Sequence, residues 1–264
     1  MNNGHPRASD GFEWTREAWG AALRCTALGE VAAHLFTARG LALERPDGDG
    51  LGWQSLARAL GARPGALRRV RQVHGSAVAC FRRGEPAPGH PPDADIVVTD
   101  DPSLAIAVQV ADCVPLLVAD RRTGAVAASH AGWRGAAAGV PGATVHALTR
   151  EFGARAVDLV AAVGPSIGPC CYEVGEEVRE AFGRAGFDAA RLGRWFAGGP
   201  RGRPYLDLWR ATVDQLHDAG VPSARIHLCA LCTATHPQTF WSYRTSGPGT
   251  GRQAGVIRSP GRGA

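Results

Sequence analysis

The stretch "ADIVVTDDPSLAIAVQVADCVPLLVADRRTGAVAASHAG", residues 94–132, decides the fold. Four apolar runs, "ADIVVT", "LAIAVQVA", "VPLLVAD" and "GAVAASHAG", are separated by turn signals such as Asp101–Pro102 and Thr123–Gly124. Short runs of small and β-branched residues bounded by turns read as buried strands. Several strands follow one another directly, which favours a mixed sheet over a purely parallel one. The last run ends in a cluster that packs poorly and is rich in chemistry: Ser129, His130, Gly132, Trp133, Arg134 and Gly135.

Working outward towards the N-terminus, "LRRVRQVHGSAVACF" (67–81) alternates as a strand does, with a break at His74–Gly75, and "RRGEPAPGHPPDAD" (82–95) is a Pro/Gly loop inside the same domain. "WQSLARALG" (53–61) reads as a short helix stopped by Gly61, and "VAAHLFTAR" (31–39) as a strand ending at Arg39. Towards the C-terminus, residues 136–152 form a helical run that Pro141 must start, kink or break. "VDLVAAVGPS" (157–166) is a further buried strand. "LDLWRATVDQLHDAG" (206–220) places Leu206, Trp209, Val213 and Leu216 on one helix face before Gly220. "ARIHLCALC" (224–232), "FWSYR" (240–244) and "RQAGVIR" (252–258) complete the set as strands. The pattern predicts one domain of class α/β (α+β) with mixed sheets and no solenoid repeat.

The 264 residues are enough to bury a sizeable core, and 45% hydrophobic with 20% charged residues is ordinary for a soluble protein. The net charge of +5 comes entirely from arginine, since the chain has no lysine. The arginines are scattered rather than striped, as compositional bias would leave them, so no nucleic-acid partner is expected. No apolar stretch is long enough for a membrane span, and "MNNGHPRASDGFEWTREAWG" lacks the apolar centre of a signal peptide. Seven cysteines, an odd number, point to reduced thiols and a cytoplasmic location rather than a disulfide scaffold. Oligomeric state is not legible at this level.

Three residues concentrate the chemistry: His74 in "QVHG", Cys113 in "VADCVPLL" and His130 in "SHAGWRG". Two imidazoles and a thiolate suit zinc, and three protein ligands leave a fourth position for water or substrate. The three are separated by 39 and 17 residues in a chain with nine histidines and seven cysteines, so position alone favours ordinary structural roles for each. A competing signal is Cys229, Cys232 and His236 in "CALCTATH". It lacks the second pair of a structural zinc site, and the reading favoured for Cys229 is packing. "VGPSIGP" bends the backbone before the vicinal Cys170–Cys171, and the GWRG turn with Arg134 offers donors to an anion. Neither a Walker A nor a GxGxxG motif is present.

In order along the chain, "QVHG", "DADIVVTD", "ADCVPLLVAD", "SHAGWRG", "GPSIGPCCYEVG", "LDLWRATVDQL", "CT" and "FWSYR…TGRQAGVI" resemble the YfiH-like laccase-domain family, whose members are also named polyphenol oxidases or purine nucleoside phosphorylases. The likeness covers residues 31–258, leaving 1–30 as a polar lead-in and 259–264 as a tail. It implies a four-layer α/β/β/α sandwich. It also implies a zinc site in which His74, Cys113 and His130 are both metal ligands and catalytic residues, with copper as the alternative ion. The implied reactions are phosphorolysis of adenosine, inosine and S-methyl-5′-thioadenosine, and adenosine deamination, so the expected partners are purine nucleosides and phosphate. Arg39, Arg134 and Arg244 are the candidates to hold phosphate, because paired guanidinium forks orient and neutralise it. After "FTAR" the loop "GLALERPDGDGLGWQSLARALG" departs from the family's Gly-Gly-x-Ser and Ser-Leu-Asn-Leu segments. That loop is expected to border the active site and to affect substrate range.

Three other functions compete. An amide hydrolase editing peptidoglycan precursors would use Cys113 as a nucleophile activated by His130, or as a ligand of a hydrolytic metal. A polyphenol oxidase would use copper, yet the chain has no H-x-H pair with which to hold a multicopper cluster. A non-enzymatic binding protein would have lost the site, and the intact His74, Cys113 and His130 argue against that.

Overall fold

The computed structural model of the chain describes residues 4–43, 50–86, 88–200 and 202–260. In chain order the strands are β1 (Phe12–Glu17), β2 (Gly20–Cys25), β3 (Ala33–Thr37), β4 (Leu67–Arg68), β5 (Val78–Phe81), β6 (Ile96–Thr99), β7 (Ala105–Val110), β8 (Val114–Asp120), β9 (Val126–Ala131), β10 (Leu159–Val163), β11 (Phe196–Gly198), β12 (Pro204–Leu206), β13 (Ile226–Leu228) and β14 (Gln253–Arg258). The helices are α1 (Thr26–Gly29), α2 (Leu51–Ala59), α3 (Trp133–Ala137), α4 (Val140–Phe152), α5 (Glu176–Arg184), α6 (Ala189–Trp195), α7 (Leu208–Asp218) and α8 (Tyr243–Ser246).

All four runs of residues 94–132 are strands, but they are shared between two sheets. One sheet has the order β1-β2-β3-β14-β7-β4 and the other β13-β10-β8-β9-β6-β5. Both are mixed. Most neighbours are antiparallel, while β4 with β7, β5 with β6 and β10 with β13 are parallel. The chain leaves the second sheet after β6, contributes β7 to the first, and returns as β8. Cys113 lies on that return crossing, directly before β8.

Alternation explains why these strands read as continuous apolar runs. Leu117 and Ala119 of β8 point between the sheets, where they meet Phe36, Ile106, Val108 and Ile257 of the first sheet. Leu116 and Val118 point the other way, against a layer containing Val145 and Leu148 of α4 and Leu208 and Leu216 of α7. A strand covered on both faces needs apolar residues at every position. On the far side of the first sheet, Leu35, Ala107 and Val256 pack against Trp53 and Leu56 of α2. The expected α/β/β/α layering is therefore present, with the principal core between the sheets. Removing a side chain such as Leu117, which is fully buried, costs about 2–5 kcal/mol as Leu→Ala.

Several local expectations change. The single run expected at 136–152 is two helices: α3 ends at a left-handed Gly139, and Pro141 lies in the first turn of α4, where its missing N–H is harmless. Residues 12–25, expected within a polar lead-in, form the β1–β2 hairpin, and β2 pairs with β3. Helices α5 and α6 and the β11–β12 pair were not anticipated. Asp188 and Asp207 cap α6 and α7 by accepting the N–H groups of Arg191 and Arg210, each at 2.8 Å.

Of the strand expected over 224–232 only β13 is extended, after a helical turn at Ser223–Arg225. The strands expected over 67–81 and 240–244 are largely loops, for a shared physical reason. In 67–81 only β4 and β5 are extended pairs. Between them the N–H groups of Val73, His74 and Gly75 all go to the Asp95 carboxylate. In 240–244 the Trp241 N–H goes to Gln253 Oε1 and the Arg244 N–H to Asp112 Oδ2, and the segment turns into α8. Backbone donors held by side chains are not offered to a neighbouring strand. Part of the divergent loop after Arg39, residues 44–49, lies outside the described residues. Among the described residues no helix is long and apolar enough to cross a membrane.

Candidate active site

Of the candidate residues, His74 lies in the loop between β4 and β5 and Arg244 where residues 240–244 turn into α8, while Cys113 precedes β8 and His130 lies on β9. His130 lies near the end of β9, with 3% of its surface exposed. Its backbone N–H donates to the Asp95 carbonyl at 2.8 Å, and its Nδ1–H donates to Asp95 Oδ1 at 2.7 Å. Asp95 thus fixes the ring and its tautomer, leaving Nε2 free of that bond. The same carboxylate gathers the three N–H groups of the His74 loop at 3.2, 3.0 and 2.7 Å. Burial alone would raise the Asp95 carboxyl, but the His130 hydrogen bond and the backbone donors outweigh it and hold the pKa below the ordinary range.

His74 adopts φ +60°, a left-handed conformation uncommon for a non-glycine residue, and Asp112 beside Cys113 has φ +82°. Such conformations persist only where surrounding bonds over-determine them. For His74 the bonds come from Asp95, with Gln72 adding two to Gln109 on β7: Nε2 donates to its carbonyl at 2.8 Å and Oε1 accepts its N–H at 2.7 Å. For Asp112, Oδ1 accepts from Thr233 Oγ1 at 2.6 Å, Oδ2 accepts the Arg244 N–H at 2.7 Å, and its carbonyl accepts the Ile167 N–H at 2.9 Å. One residue so ties three distant segments around Cys113.

The result is a single cluster. The ligand atoms of His74, Cys113 and His130 lie within 4.8 Å of one another, and the two imidazoles meet edge to face with centroids 4.7 Å apart. Exposure is graded from an exposed His74 through a half-buried Cys113 to a buried His130, so the cluster opens to one side. Gly132 makes room for it: a Cβ there would lie 2.7 Å from Cys113 Sγ and 3.4 Å from His74 Cδ2. The set fits a metal ion. Its donors are two nitrogens and one sulfur, its backbone is preset, and one histidine is already oriented by a carboxylate.

Charge follows from the same geometry. Burial alone would raise the Cys113 thiol, but the His130 charge and hydrogen bonds from both histidines bring it down from 9.0 to about 6. Burial alone would lower His130, but the Cys113 thiolate and then Asp95 raise it from 6.5 to about 9. Without a metal the pair is a thiolate and an imidazolium at neutral pH. The Tyr172 hydroxyl is pushed up by burial and then by the Cys113 charge, which places it in the field of the site.

The three arginines singled out from sequence differ in their commitments. Arg39 donates to the Pro237 carbonyl and stacks 3.7 Å from the Trp241 ring centroid. Arg244 donates to the carbonyls of Cys171 and Glu173, at 3.4 and 2.8 Å. Arg134 is exposed at the start of α3, and its recorded contact is the face of Trp133, 4.3 Å from the ring centroid. Asp95, Asp112 and Tyr172 escaped sequence reasoning as site residues. Their signal was present, since "DADIVVTD", "ADCVPLL" and "CCYEVG" carry them, but a carboxylate next to a strand is also an ordinary turn residue. Cys229 is fully buried in the core between the sheets, as its packing role requires, and His236 does not join Cys232 in a ligand cluster among the described residues. A cavity of about 790 Å³ lies elsewhere, lined by Glu30, Asp120, Arg122, Arg225 and Arg258 and by none of the triad. Arg122, Arg225 and Arg258 there donate to backbone carbonyls.

A family model described as "Multi-copper polyphenol oxidoreductase laccase" matches residues 52–259. The chain belongs to this laccase family. Among solved structures, this laccase-family chain is similar to the Bacillus licheniformis hypothetical protein YfiH, with a TM-score of 0.82, 26% identity, and coverage of 93% of this chain and 98% of that one. It is also similar to YlmD from Geobacillus stearothermophilus, with a TM-score of 0.80, 27% identity and the same coverages. Of curated relatives, a purine nucleoside phosphorylase of Deinococcus radiodurans is 39% identical over 78% of this chain and 76% of its own length. A purine nucleoside phosphorylase of Bacteroides thetaiotaomicron is 42% identical over 60% of this chain, and the match spans 58% of that relative. A protein named adenosine deaminase RL5, from an unknown prokaryotic organism, is 39% identical over 62% of each chain.

Proposed function

We propose that this laccase-family chain is a zinc-dependent purine nucleoside phosphorylase acting on adenosine, inosine and S-methyl-5′-thioadenosine, with adenosine deaminase activity. The observation that carries it is the open three-ligand cluster of His74, Cys113 and His130, locked by Asp95. The names of the relatives supply the substrate class. A bound zinc ion would supply Lewis acidity and activate water at the open position. His74, Cys113 and His130 would hold it. Asp95 keeps the proton on His130 Nδ1, which would leave Nε2 as the donor atom.

The rest falls to the chain's own groups. In phosphorolysis, phosphate attacks the anomeric carbon of the ribose, the bond to the purine nitrogen breaks, and the base leaves with the bonding pair. Arg134 binds the attacking phosphate, since its guanidinium has no carbonyl or carboxylate partner among the described residues. Arg39 and Arg244 have carbonyl partners, so their part is to hold the loops at Pro237 and at residues 171–173, with remaining N–H donors turned to the anion. In deamination, water adds to the purine ring and ammonia leaves, with no call on the phosphate cradle.

Incubation with adenosine, inosine and S-methyl-5′-thioadenosine, with and without phosphate, tests this, with free base and ammonia measured separately. Inosine is expected to yield hypoxanthine and ribose-1-phosphate only when phosphate is present. Equal base release without phosphate would make the protein a hydrolase.

One observation favours a second reading. A thiol held near 6 beside an imidazolium is also the arrangement of a cysteine nucleophile, as an amide hydrolase requires. Turnover of an amide substrate that survives complete metal removal would decide for it. Phenol oxidation with copper in the same three ligands remains the laccase alternative, read by oxygen uptake with a phenol after copper loading.

A further inference from the structure

A second cluster of soft ligands lies outside the triad. Cys170 and Cys171 follow the turn at Gly168, and Cys232 faces them from the segment after β13, which a parallel bridge at Ser166 holds in place. The three sulfur atoms lie within 4.8 Å of one another, and those of Cys170 and Cys171 are 3.6 Å apart. All three are free thiols. The Gly168 N–H donates to Cys232 Sγ at 3.2 Å. Gly168 has to be glycine for this approach, because a Cβ would lie 2.7 Å from Trp209 Cη2 and 3.2 Å from Cys232 Cβ.

We propose that Cys170, Cys171 and Cys232 form a trigonal thiolate site for a soft monovalent cation, Cu(I), separate from the His74, Cys113 and His130 cluster. The donor set selects the ion. Sulfur ligands favour Cu(I), zinc and iron–sulfur clusters over hard cations, and zinc in a closed protein site takes four ligands. Here no histidine or carboxylate completes a fourth position among the described residues. The graded burial also fits uptake: Cys170 is exposed, Cys171 half-buried and Cys232 buried, so an ion enters at the surface and is passed to an anchored sulfur. Each thiol that ligates releases its proton to solvent, and no electron is transferred. The local sequence spacing hides the site. C-x-x-C-x-x-x-H suggests Cys229 and His236 as the companions of Cys232, whereas folding supplies two sulfurs from a turn some sixty residues earlier.

The test is an anaerobic titration of the full chain with Cu(I) as its acetonitrile complex, against a Cu(I) chelator, followed by alkylation with iodoacetamide and mass mapping of each cysteine. The wild-type chain is expected to retain two equivalents. The Cys170→Ser/Cys171→Ser variant should retain one, which depends on Cys113, and Cys113→Ala should retain the other. Alkylation of Cys170 and Cys171 should slow at least about tenfold on Cu(I) loading, since a ligated thiolate is withdrawn from attack. Unchanged stoichiometry in the double variant, or undiminished alkylation of the wild type, overturns the proposal, as does a Cys170–Cys232 or Cys171–Cys232 disulfide in protein purified without reductant. The Cys170→Ser single variant alters only an exposed side chain and guards against a folding artefact. It should weaken Cu(I) retention while leaving circular dichroism unchanged.

Discussion

His34 and His130 are buried alike, at 1% and 3% exposure, yet at neutral pH His34 is uncharged and His130 is a cation. His34 lies on β3 in the first sheet. Its Nε2 accepts the Cys25 N–H at 2.9 Å, and its Nδ1–H donates to the Ala32 carbonyl at 3.0 Å. A neutral ring satisfies both partners, and burial pushes the pKa down to about 4. His130 lies on β9 in the other sheet and meets a carboxylate and a thiolate instead, which overcome burial and lift it to about 9. Burial by itself makes a structural histidine. The anionic neighbours, both supplied from other strands or loops, make a histidine that keeps its proton at neutral pH.

The largest test removes the thiolate. Cys113→Ala is expected to lower zinc content sharply, by about a thousandfold or more in affinity, because one of three ligands and its charge are lost. His130 should then titrate lower, towards the behaviour of His34, as followed by NMR of the imidazole. His74→Ala and His130→Ala should also lose zinc, and full retention in all three variants would remove the site. In the wild type, each zinc bound between about pH 6 and 9 should release the His130 proton, so apparent affinity rises about tenfold per pH unit there, measured by titration calorimetry in buffers of different ionisation enthalpy.

His34 makes the opposite prediction. Its folded pKa of about 4 lies below the ordinary 6.5, so the unfolded chain binds more protons between those values and stability falls as pH drops through that window. The gap is worth about 3 kcal/mol, fully available above about pH 6.5 and lost by about pH 4. The Cys113–His130 pair adds little to this slope. Folded, it titrates near 6 and 9, and its unfolded components near 6.5 and 9.0, so proton counts almost match. Urea melts of the metal-free protein from pH 7 to pH 4 read the effect. His34→Gln should flatten the slope, and an equally steep slope in that variant would move the acid sensitivity elsewhere.

Asp95→Asn sharpens the comparison at smaller scale. An amide keeps the size but removes the charge that holds the His130 tautomer, so metal affinity should fall about 10- to 100-fold, with some loss of stability from the loop at 73–75. An unchanged zinc affinity would leave the thiolate as the sole difference between the two histidines. Arg134→Lys is the smallest expected change. It should keep zinc and melting temperature while lowering phosphorolysis by about tenfold, roughly 1.4 kcal/mol, and sparing deamination, because a point charge replaces a planar fork. Equal losses in both activities would make Arg134 a structural brace.

What the sequence by itself determined is local. The apolar runs of residues 94–132 are strands wherever both faces are covered, and the periodic α2 and α7 are helices, since period and burial are written into consecutive residues. His74, Cys113 and His130 stand out as a set only through the ordered motifs that resemble the family, since their types and spacing alone favour structural roles. Tertiary structure decided the rest. Residues 67–81 and 240–244 have strand-like composition, yet Asp95, Gln253 and Asp112 take their backbone N–H groups from positions remote in sequence. Cys232 finds its sulfur neighbours at residues 170 and 171 rather than within its own motif. The charge on His130, which His34 lacks, depends on which side chains other strands and loops deliver to within a few ångströms. Electrostatic interaction falls with distance in space, and separation along the chain sets no such distance until the sheets have formed.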